Sequence, residues 1–522
     1  GKKIMNTINK RTALIIILII LSQQNIHAKK IVTKPGLTTE ETPTLLTSKW
    51  LDIQKKTTDT VAQVFVETTE FNWREPYKTP EQNMASGSAF FIDEEGHLLS
   101  NFHVVNQAAS IKIQIPSLGK QRLDISIVGA CPERDISLLK LSQDSREKII
   151  TKLGKIPFLT FGDSDKILRT HQVLALGYPL GQEKLKSTQG IVSGRENIEM
   201  ESYIQTTAPI NPGNSGGPAL DENGNVIGLS TANIPEAQNV GYIIPINNVK
   251  NIINDLHSTK LLRRPFFGCN LNYGTQDMLG YLKNPEPGGL YISHVYKNTL
   301  FAKTGIKEGD MLYAINNHNI DMYGETNVQW SEDKVSFIDL LNRFKLAEKI
   351  TVDLYRNGTK HTFSFNFENM SPLPIRTIYP EYEPVDFEII GGMVIMQLSL
   401  NHINIFEEIN KTIFKYTRLE NQLVPRLLIS HVLPNSQTQQ ARIVTAGDIV
   451  THVNGQVVTT LDELRNAVKR DIKFLSVKTE EKEFVVLSIE KIVYQESMLS
   501  EQYFYKKSNL IRELEDKIKA SK

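Results

Sequence analysis

The sequence predicts a mainly β protein, in which one large β domain is followed by two copies of a small α+β module. Short runs of β-forming residues, broken by Gly, Pro, Asn and Asp, follow one another from about residue 50 to residue 246, a spacing typical of a sandwich or barrel. Beyond residue 264 the chain repeats itself, and an internal repeat identifies separate modules. The β-type runs include GSAFFI (87–92), IKIQIP (111–116), LDISIVGA (123–130), ISLLKL (136–141), VLALGY (173–178) and NVIGLS (225–230).

The N-terminal segment has the composition of a secretory signal peptide. Four basic residues precede the apolar run ALIIILIIL (13–21), and a small residue, Ala28, follows it. The apolar run is much shorter than the ~20 residues that a membrane-spanning helix needs. We therefore expect residues 1–28 to direct export to the periplasm or cell envelope, with membrane contact only through this segment if it stays uncleaved. Residues 29–48, rich in Thr, Pro, Glu and Lys, predict a flexible lead-in.

Charge and composition argue against several classes of function. The chain carries 59 basic and 58 acidic side chains, so it lacks the basic surplus typical of nucleic-acid-binding proteins. Its two cysteines, Cys131 and Cys269, fall in different predicted domains, which favours small buried hydrophobes over a disulfide. Cys and His do not cluster at metal-ligand spacing, so we expect neither a metal nor a cofactor.

An amphipathic helix and two pairs of matching segments divide the chain. Apolar residues recur at helical spacing from Ile246 to Leu256, which predicts a helix at the end of the β domain. The matching segments are LYISHVYKN (290–298) with LLISHVLPN (427–435) and GDMLYAINN (309–317) with GDIVTHVNG (447–455), and the helical stretches that follow them are SFIDLLNRF (336–344) and TLDELRNAV (460–468). The predicted organisation is signal peptide 1–28, lead-in 29–48, β domain 49–260, first repeat 261–370, second repeat 371–496 with a helical insertion, and a charged tail 497–522 that forms an exposed helix.

The glycine-flanked Ser215 in NPGNSGGPAL (211–220) fits two kinds of nucleophile site, beside the plain interpretation of a surface turn. The elbow of α/β-hydrolases places the serine before a helix and needs its acid and histidine later in the chain. Trypsin-like double barrels instead order the residues His, Asp, Ser. The histidines after Ser215 lie in the closing helix or beyond it, and Pro218 with the Asn223-Gly224 turn follows the serine in place of a helix. Chain order therefore favours a double β-barrel.

Three histidines precede Ser215 in the mature chain. His103, in LLSNFHVV, directly follows a strand, whereas His97 lies in the turn DEEGH and is expected to be solvated. His171 begins a strand without small neighbours that would admit a substrate. Asp135, in PERDISLLKL, precedes an apolar strand, where a carboxylate can be held at the edge of a core. We therefore predict His103 as the base and Asp135 as the residue that orients it.

These residue types suit acyl transfer. A serine hydroxyl is a weak nucleophile near neutral pH and needs a base within hydrogen-bond reach. His103 would take the proton of Ser215 and return it to the leaving amine, while Asp135 fixes the imidazole tautomer. The oxyanion hole is predicted at Gly213, Asn214 and Ser215, whose amides would face the developing negative charge.

The strand after the nucleophile supplies a candidate substrate pocket. Its residues are Leu229, Ser230, Thr231 and Ala232. Because none of them is a carboxylate that could pair with a basic side chain, we expect cleavage after small or medium aliphatic residues.

Three ordered motifs resemble the HtrA (Do-like) serine proteases: FHVV at His103, ERDISLLKL at Asp135 and QTTAPINPGNSGGPALDENGNVIGLSTA around Ser215. The two repeats resemble PDZ domains. This resemblance implies a chymotrypsin-like double β-barrel with a His-Asp-Ser triad, followed by two PDZ-like domains. It also implies an exported endopeptidase for unfolded or damaged proteins and peptides, and a trimer-based homo-oligomer with Trp50 near the trimer contact. The alternative is a chaperone or PDZ scaffold with a weakly active or inactive protease domain.

The chain departs from that family pattern at several places. Thr207 stands where the family has an acid, and the stretch before GSAFFI leaves no room for a long regulatory loop. The wide gap between the repeats resembles the Do-like subgroup of plant organelles. The N-terminus, however, is not Arg/Ser-rich and acid-poor like a transit peptide, which favours a bacterial envelope.

The two repeats are expected to differ in peptide binding. RRPFFGCNL (263–271) resembles a loop that captures a peptide carboxylate with backbone amides around Phe267, Gly268 and Cys269, although a buried strand entry with a glycine bend is the alternative. The second repeat has DFEIIGGMVIMQL (386–398), which lacks an isolated glycine. Its insertion, 401–426, has Ile405, Phe406, Ile409, Ile413 and Phe414 at helical spacing. We expect this helix to bury its apolar face in its own groove or against a neighbouring subunit, so that only the first repeat binds peptides.

Overall fold

Two closed barrels form the first part of the computed structural model, which describes residues 49–198, 201–233, 239–264, 267–297, 299–368, 372–470 and 473–521. The strands are β1 Val61–Glu70, β2 Glu81–Phe91, β3 His97–Ser100, β4 Ala108–Gln114, β5 Leu123–Cys131 and β6 Ile136–Leu141 in the first barrel, and β7 Gln172–Gly177, β8 Lys186–Ile198, β9 Glu201–Thr206, β10 Pro218–Leu220, β11 Val226–Asn233 and β12 Gly241–Pro245 in the second. Their hydrogen-bonded orders are β1-β2-β3-β6-β5-β4 and β10-β11-β12-β9-β8-β7. The predicted double β-barrel is confirmed, whereas the predicted signal peptide and lead-in lie outside the described residues.

Helices close and connect the barrels. They are α1 Lys49–Thr57, α2 Phe102–Val105, α3 Gln143–Leu153 and α4 Ile246–Ser258, with 3₁₀ segments at Thr58–Thr60, Pro116–Leu118, Pro132–Arg134, Ser164–Lys166 and Pro179–Gly181. The helix predicted from periodicity is α4. Its buried Val249, Ile252 and Leu256 share one core with Leu138 of the first barrel and Leu229 of the second. Each such side chain contributes roughly 1.5–3 kcal/mol on burial, so α4 holds the two barrels together.

The first repeat is a twisted sheet with an uncovered edge strand. Its strands are β13 Cys269–Tyr273, β14 Leu290–Val295, β15 Met311–Ile315, β16 His318–Asn319, β17 Glu325–Thr326, β18 Val335–Ser336, β19 Lys349–Arg356 and β20 Thr359–Asn366, and its helices are α5 Gln276–Tyr281, α6 Leu300–Thr304 and α7 Phe337–Arg343. The main sheet has the order β13-β14-β15-β19-β20. Within the described residues β13 pairs on one side only, so its other edge is free to receive a strand.

The second repeat has the same sheet with one strand added. Its strands are β21 Phe387–Ile390, β22 Met393–Gln397, β23 Leu427–Val432, β24 Ile449–Val453, β25 Gln456–Val457, β26 Phe474–Thr479 and β27 Phe484–Ser488, and its helices are α8 Leu400–Phe406, α9 Leu419–Gln422, α10 Gln437–Ala441, α11 Leu461–Val468, α12 Ile489–Tyr503 and α13 Asn509–Ser521, with a 3₁₀ segment at Lys411–Thr417. The order is β21-β22-β23-β24-β26-β27. The added strand β21 therefore pairs with β22 at the edge that stays open in the first repeat.

The insertion of the second repeat is not the single helix expected from its spacing. It divides into α8, the 3₁₀ segment and α9, because the side chain of Asn410 accepts the Thr412 amide at 3.0 Å and starts a new turn. Phe406 and Ile413 are buried against the sheet of their own module, whereas Phe414 is exposed. The apolar residues thus follow two short helices rather than one face.

The charged tail does not form the exposed helix that we expected. Leu510, Ile511 and Leu514 of α13 are fully buried and belong to the core of the second repeat. Because α13 also carries many charged residues, its overall composition does not reveal this apolar stripe. The second module consequently extends to Ser521. None of the helices in the described part of the chain is both long and apolar enough to cross a membrane.

Candidate active site

His103 and Asp135 meet between β3 and β6 of the first barrel. The helical turn α2 follows β3 directly, so His103 lies on the first turn with its ring toward the start of β6. His103 Nδ1 is 2.8 Å from Asp135 Oδ2, and the His103 amide donates to Asp135 Oδ1 at 2.9 Å. Two contacts to one carboxylate fix both the position and the tautomer of the imidazole.

Asp135 also determines the charge state of His103. Burial alone would lower the pKa of His103, but the hydrogen bond and the negative charge of Asp135 outweigh burial, so the pKa is raised above 6.5. Asp135 itself has left-handed backbone angles (φ 53°, ψ 42°) after the 3₁₀ segment Pro132–Arg134. Asn101 Nδ2 donates to its carbonyl at 3.1 Å, and Thr231 Oγ1 donates to its Oδ2 at 2.7 Å. The carboxylate is thus held by groups from both barrels.

Ser215 lies in the turn between β9 and β10, next to the same threonine. Its hydroxyl donates to the carbonyl of Thr231 at 2.9 Å, and no hydrogen bond joins Ser215 to His103 among the described residues. The Ser215 carbonyl accepts the Ser88 amide at 2.9 Å, which ties the turn to β2. Transfer of the serine proton to His103 therefore requires that the hydrogen bond to Thr231 break first. Hydrogen bonds of this kind often tighten only when substrate binds.

Two backbone amides of the turn are available to an anion. Within the described chain the amides of Gly213 and Ser215 have no acceptor, whereas the Asn214 amide donates to Asn211 O at 2.9 Å. Asn214, which we expected to take part in the oxyanion hole, is instead used inside the turn. Its side chain is buried among neighbouring loop residues.

A strained turn orients the Gly213 amide. The carbonyl of Pro212 accepts the Leu180 amide at 2.7 Å. Because a trans peptide points its C=O and N–H in opposite directions, the Gly213 N–H is turned away from Leu180. Leu180 adopts left-handed angles (φ 56°, ψ 28°) although it is not glycine, and its side chain is 70% exposed. Such strain is typical of functional sites, and no sequence pattern would have identified this residue.

Ser88 holds the other side of the same turn. Its hydroxyl donates to Gly213 O at 2.7 Å and accepts the Tyr178 amide at 3.0 Å. Gly213 has φ 100°, and a Cβ at this position would lie 2.4 Å from Tyr178 O. Only glycine therefore fits between the two loops.

The residues expected to line a substrate pocket have several different environments. Leu229 is fully buried in the shared core of the barrels, so its side chain does not face a substrate and this expectation is wrong. Ser230 is also fully buried, and its hydroxyl has no partner among the described residues. Thr231 contacts Asp135 and Ser215, and Ala232 pairs with Tyr242 of β12.

The two other histidines of the barrels lie away from this cluster. His97, expected to be solvated, is buried at the start of β3, where its Nδ1 lies 2.6 Å from Asp93 Oδ2. It is a structural residue because the turn before it folds back onto the strand. His171 is exposed, and its Nδ1 accepts the Leu168 amide at 3.3 Å.

A second candidate site lies between β13 and α7 of the first repeat. The carbonyls of Phe267 and Gly268 accept the Phe301 and Tyr296 amides at 3.1 and 2.9 Å. The following amides, those of Gly268 and Cys269, therefore point in the opposite direction, toward the groove. The groove encloses about 460 Å³ and is lined mainly by apolar side chains. Among them are Phe301, Leu312, Ile315, Phe337, Leu341 and Phe367.

Residues 87–229 match the model of the trypsin-like peptidase domain. A probable periplasmic DegP-like serine endoprotease of Chlamydia trachomatis is 31% identical over 256 residues, which cover 48% of this chain and 49% of that protein. A protein of the same description from a Marinomonas species is 26% identical over 400 residues, or 75% of this chain and 76% of that protein. The chain thus spans about half the length of the Chlamydia relative. A solved HtrA-type protease, AlgW with a decapeptide, is 24% identical with a TM-score of 0.48, covering 62% of this chain and 99% of that one.

Proposed function

We propose that the protein is a serine endopeptidase with Ser215, His103 and Asp135 as its triad. The match of residues 87–229 to the trypsin-like peptidase domain and the similarity of the chain to DegP and HtrA serine endoproteases support this proposal. The observation that carries the proposal is the 2.8 Å contact of His103 Nδ1 with Asp135 Oδ2, next to Thr231, which bonds both Asp135 and the Ser215 hydroxyl. That contact leaves Nε2 of His103 as the proton acceptor.

The geometry supports an acyl-enzyme mechanism. Ser215 Oγ attacks the scissile carbonyl carbon while His103 Nε2 takes its proton, and the carbonyl oxygen becomes an oxyanion. The amides of Gly213 and Ser215 stabilise that charge, and removing one such donor typically raises the barrier by about 2.7–4 kcal/mol. The C–N bond then breaks, the amine leaves with the proton from His103, and water releases the acyl group by the same steps in reverse.

The proposed setting is the periplasm or cell envelope, where the enzyme would act on unfolded or damaged proteins. The relatives named as periplasmic endoproteases and the signal-like N-terminus support this setting. The groove of the first repeat would hold a substrate or activator peptide through the Gly268 and Cys269 amides. We also propose a trimer-based assembly near Trp50, which packs against the barrel core and donates to Gln172 at 3.0 Å.

Covalent labelling tests the proposal directly. A fluorophosphonate probe should label the full chain, and Ser215→Ala should lose both labelling and hydrolysis of denatured casein. Ser126→Ala, at an exposed serine of β5, is the matched control and should retain both. Because His103 must be neutral to act as a base, hydrolysis should fall as the pH drops through its raised pKa. Labelling that persists in Ser215→Ala would show that another nucleophile reacts.

The alternative is a chaperone or scaffold with little proteolysis. It is favoured by the Ser215 hydroxyl, which donates to Thr231 rather than to His103, and by the open groove of the first repeat. Suppression of aggregation that survives in Ser215→Ala, in a protein that the probe does not label, would support this second candidate.

A further inference from the structure

A turn in the segment that joins the two repeats packs against the residues beside His103 and Asp135. This connector turn spans residues 379–383, before β21, and the amides of Tyr382 and Glu383 close it by donating to Tyr379 O, both at 2.9 Å. The Tyr379 amide donates to Glu383 Oε2 at 3.2 Å. The connector turn is therefore a defined local structure, held by its own hydrogen bonds.

Tyr379 of the connector turn contacts the helical turn α2, which carries His103. Its ring meets the Phe102 ring edge to face, with the centroids 5.4 Å apart and the planes at 87°. Phe102 is 5% exposed. Val104 and Val105, which follow His103, belong instead to the core of the first barrel. The helical turn α2 is thus held by two parts of the molecule, the barrel core and the connector turn.

Arg263 joins the connector turn to the loop that carries Asp135. Its Nη1 donates to Glu133 Oε1 at 3.3 Å, two residues before Asp135. Its Nη2 forms an ion pair with Glu383 of the connector turn. The guanidinium carbon also lies 5.3 Å from the centroid of the Tyr379 ring, within the range of a cation–π contact. One mostly buried cation therefore links the connector turn to the loop of the catalytic acid.

The loop before Asp135 has a backbone conformation that needs such support. Asp135 adopts left-handed angles, φ 53° and ψ 42°. A non-glycine residue keeps this conformation only where the surrounding structure fixes it. Arg264 gives a second contact, because its Nη2 donates to Glu133 O at 3.3 Å. Arg263 and Arg264 thus stabilise a strained loop on which the contacts between Asp135 and His103 depend.

We propose that the connector turn positions the His103–Asp135 pair for catalysis, through Tyr379 on the histidine side and Arg263 on the acid side. The inference rests on the proposed protease function, and it gives the segment between the repeats a role in that reaction. Each of the two residues acts through a neighbour of the catalytic pair, so both are positioning residues. A misplacement of about 1 Å in an active site can slow a reaction by about a hundredfold.

Steady-state hydrolysis of dye-labelled casein by the full chain tests the proposal, with a fluorophosphonate probe used to count the active sites. Tyr379→Ala removes the ring that meets Phe102 and should lower kcat at least about tenfold, while KM stays within about twofold. Tyr379→Phe keeps the ring and should retain kcat within about twofold. Arg263→Gln removes the ion pairs and should lower kcat in the same way as Tyr379→Ala. In both impaired variants the probe should still label every site, but more slowly.

Tyr77→Ala is the matched control. Tyr77 lies in the connection between β1 and β2 and makes the same kind of contact with the second repeat, its ring centroid lying 5.8 Å from that of Tyr505. The control therefore loosens the second repeat on the barrels without touching the connector turn. Its kcat and KM should both stay within about twofold of the unchanged chain.

An unchanged kcat in Tyr379→Ala and Arg263→Gln overturns the proposal, as does a rise in KM alone. An equal loss of kcat in Tyr77→Ala or in Tyr379→Phe also overturns it, because the ring of Tyr379 would then have no special role. If Tyr379→Ala fails to fold, Arg263→Gln decides the outcome. Absence of both labelling and hydrolysis in the unchanged chain would instead contradict the proposed protease function.

Discussion

The two repeats share one scaffold, but the same sheet edge is open in the first repeat and paired in the second. In the first repeat the edge of β13 is open beside a cavity of about 460 Å³. In the second repeat β21 covers the corresponding edge of β22 and is held by Arg465. Strand addition at a sheet edge is a general mode of peptide binding. The comparison shows that a few residues before the loop are enough to replace an open groove with an internal contact.

The repeats also contact the barrels through different elements. In the first repeat, Arg343 of α7 forms a bidentate pair with Asp165, at 2.8 and 2.9 Å. In the second repeat, the insertion packs on the connection between β1 and β2, where Trp73 lies 5.2 Å from the ring of His402. The groove helix of the first repeat is therefore itself in contact with the protease domain, and in the second repeat the filled edge packs against Tyr77 of the same β1–β2 connection.

The largest expected effect comes from the two loop glycines, Gly268 in the first repeat and Gly392 in the second, whose φ angles are +86° and +88°. Gly268→Val adds a Cβ into Thr299 at a left-handed backbone position, so peptide binding should fall by at least about a hundredfold. Gly392→Val is the matched change in the second repeat and should leave peptide affinity within about twofold, while hydrogen exchange of that repeat increases. Affinity is measured by anisotropy of a labelled C-terminal peptide. Loss of binding in Gly392→Val alone would reverse the assignment of the two grooves.

Breaking the ion pair of the filled groove should have the next largest effect. Arg465→Ala leaves the fully buried Glu388 carboxylate without its main partner, which destabilises the second repeat by roughly 3 kcal/mol. Adding Glu388→Leu should restore most of that loss, because it removes the unpaired charge. Urea unfolding, with hydrogen exchange used to monitor the second repeat, measures both changes in the free energy of unfolding. A neutral Arg465→Ala would mean that β21 is held by its backbone pairing alone.

The sequence predicted best those features that depend on neighbouring residues. The motifs around His103, Asp135 and Ser215 each occupy a few neighbouring residues, so chain order and flanking strands were sufficient to propose them. The same applied to α4, whose apolar residues follow one helical face. Local patterns of this kind carry most of the information available from a single sequence.

What the sequence could not predict depends on distant contacts. Thr231 donates to Asp135 across 96 positions, and the Leu180 amide holds a carbonyl of another loop. The residues before Gly391 gave no sign in the sequence that they form β21 at the edge of the sheet. In the tail, charged residues masked the buried stripe at Leu510 and Leu514. Each of these features is decided by tertiary packing rather than by local propensity.

The pH dependence of stability should differ between the two repeats, because a different buried carboxyl group titrates in each. Glu496, buried in the second repeat, has its pKa raised to about 7 by desolvation and by the nearby Glu388. Its folded-state pKa exceeds the unfolded value, so stability is full below about pH 4.5 and decreases as the pH rises toward 7, by up to about 3 kcal/mol. Glu496→Gln should remove this slope. Asp339 of the first repeat has its pKa raised to about 6, so that repeat should lose slightly less stability, over a lower pH range.

Hydrogen exchange at several pH values follows each repeat separately. The expected result is faster exchange in β21 and α12 at pH 8 than at pH 5, after correction for the intrinsic rate. Equal protection of the second repeat at both pH values would show that Glu496 titrates with an ordinary carboxyl pKa.

The smallest expected effect concerns the connection that differs most between the repeats. The first repeat joins β13 to β14 through α5, whereas the second joins β22 to β23 through α8, the 3₁₀ segment and α9. Phe406 of this insertion is fully buried, but Phe414 is 59% exposed. Phe414→Ala should therefore change the free energy of unfolding by less than about 0.5 kcal/mol, whereas Phe406→Ala, the matched control, should cost about 3–5 kcal/mol. Urea unfolding of both variants measures the difference, and sedimentation at micromolar concentration shows whether Phe414 contributes to an assembly. A loss of more than about 1 kcal/mol in monomeric Phe414→Ala would mean that the residue packs inside its own chain, and the insertion would then be a core element of the second repeat along its whole length.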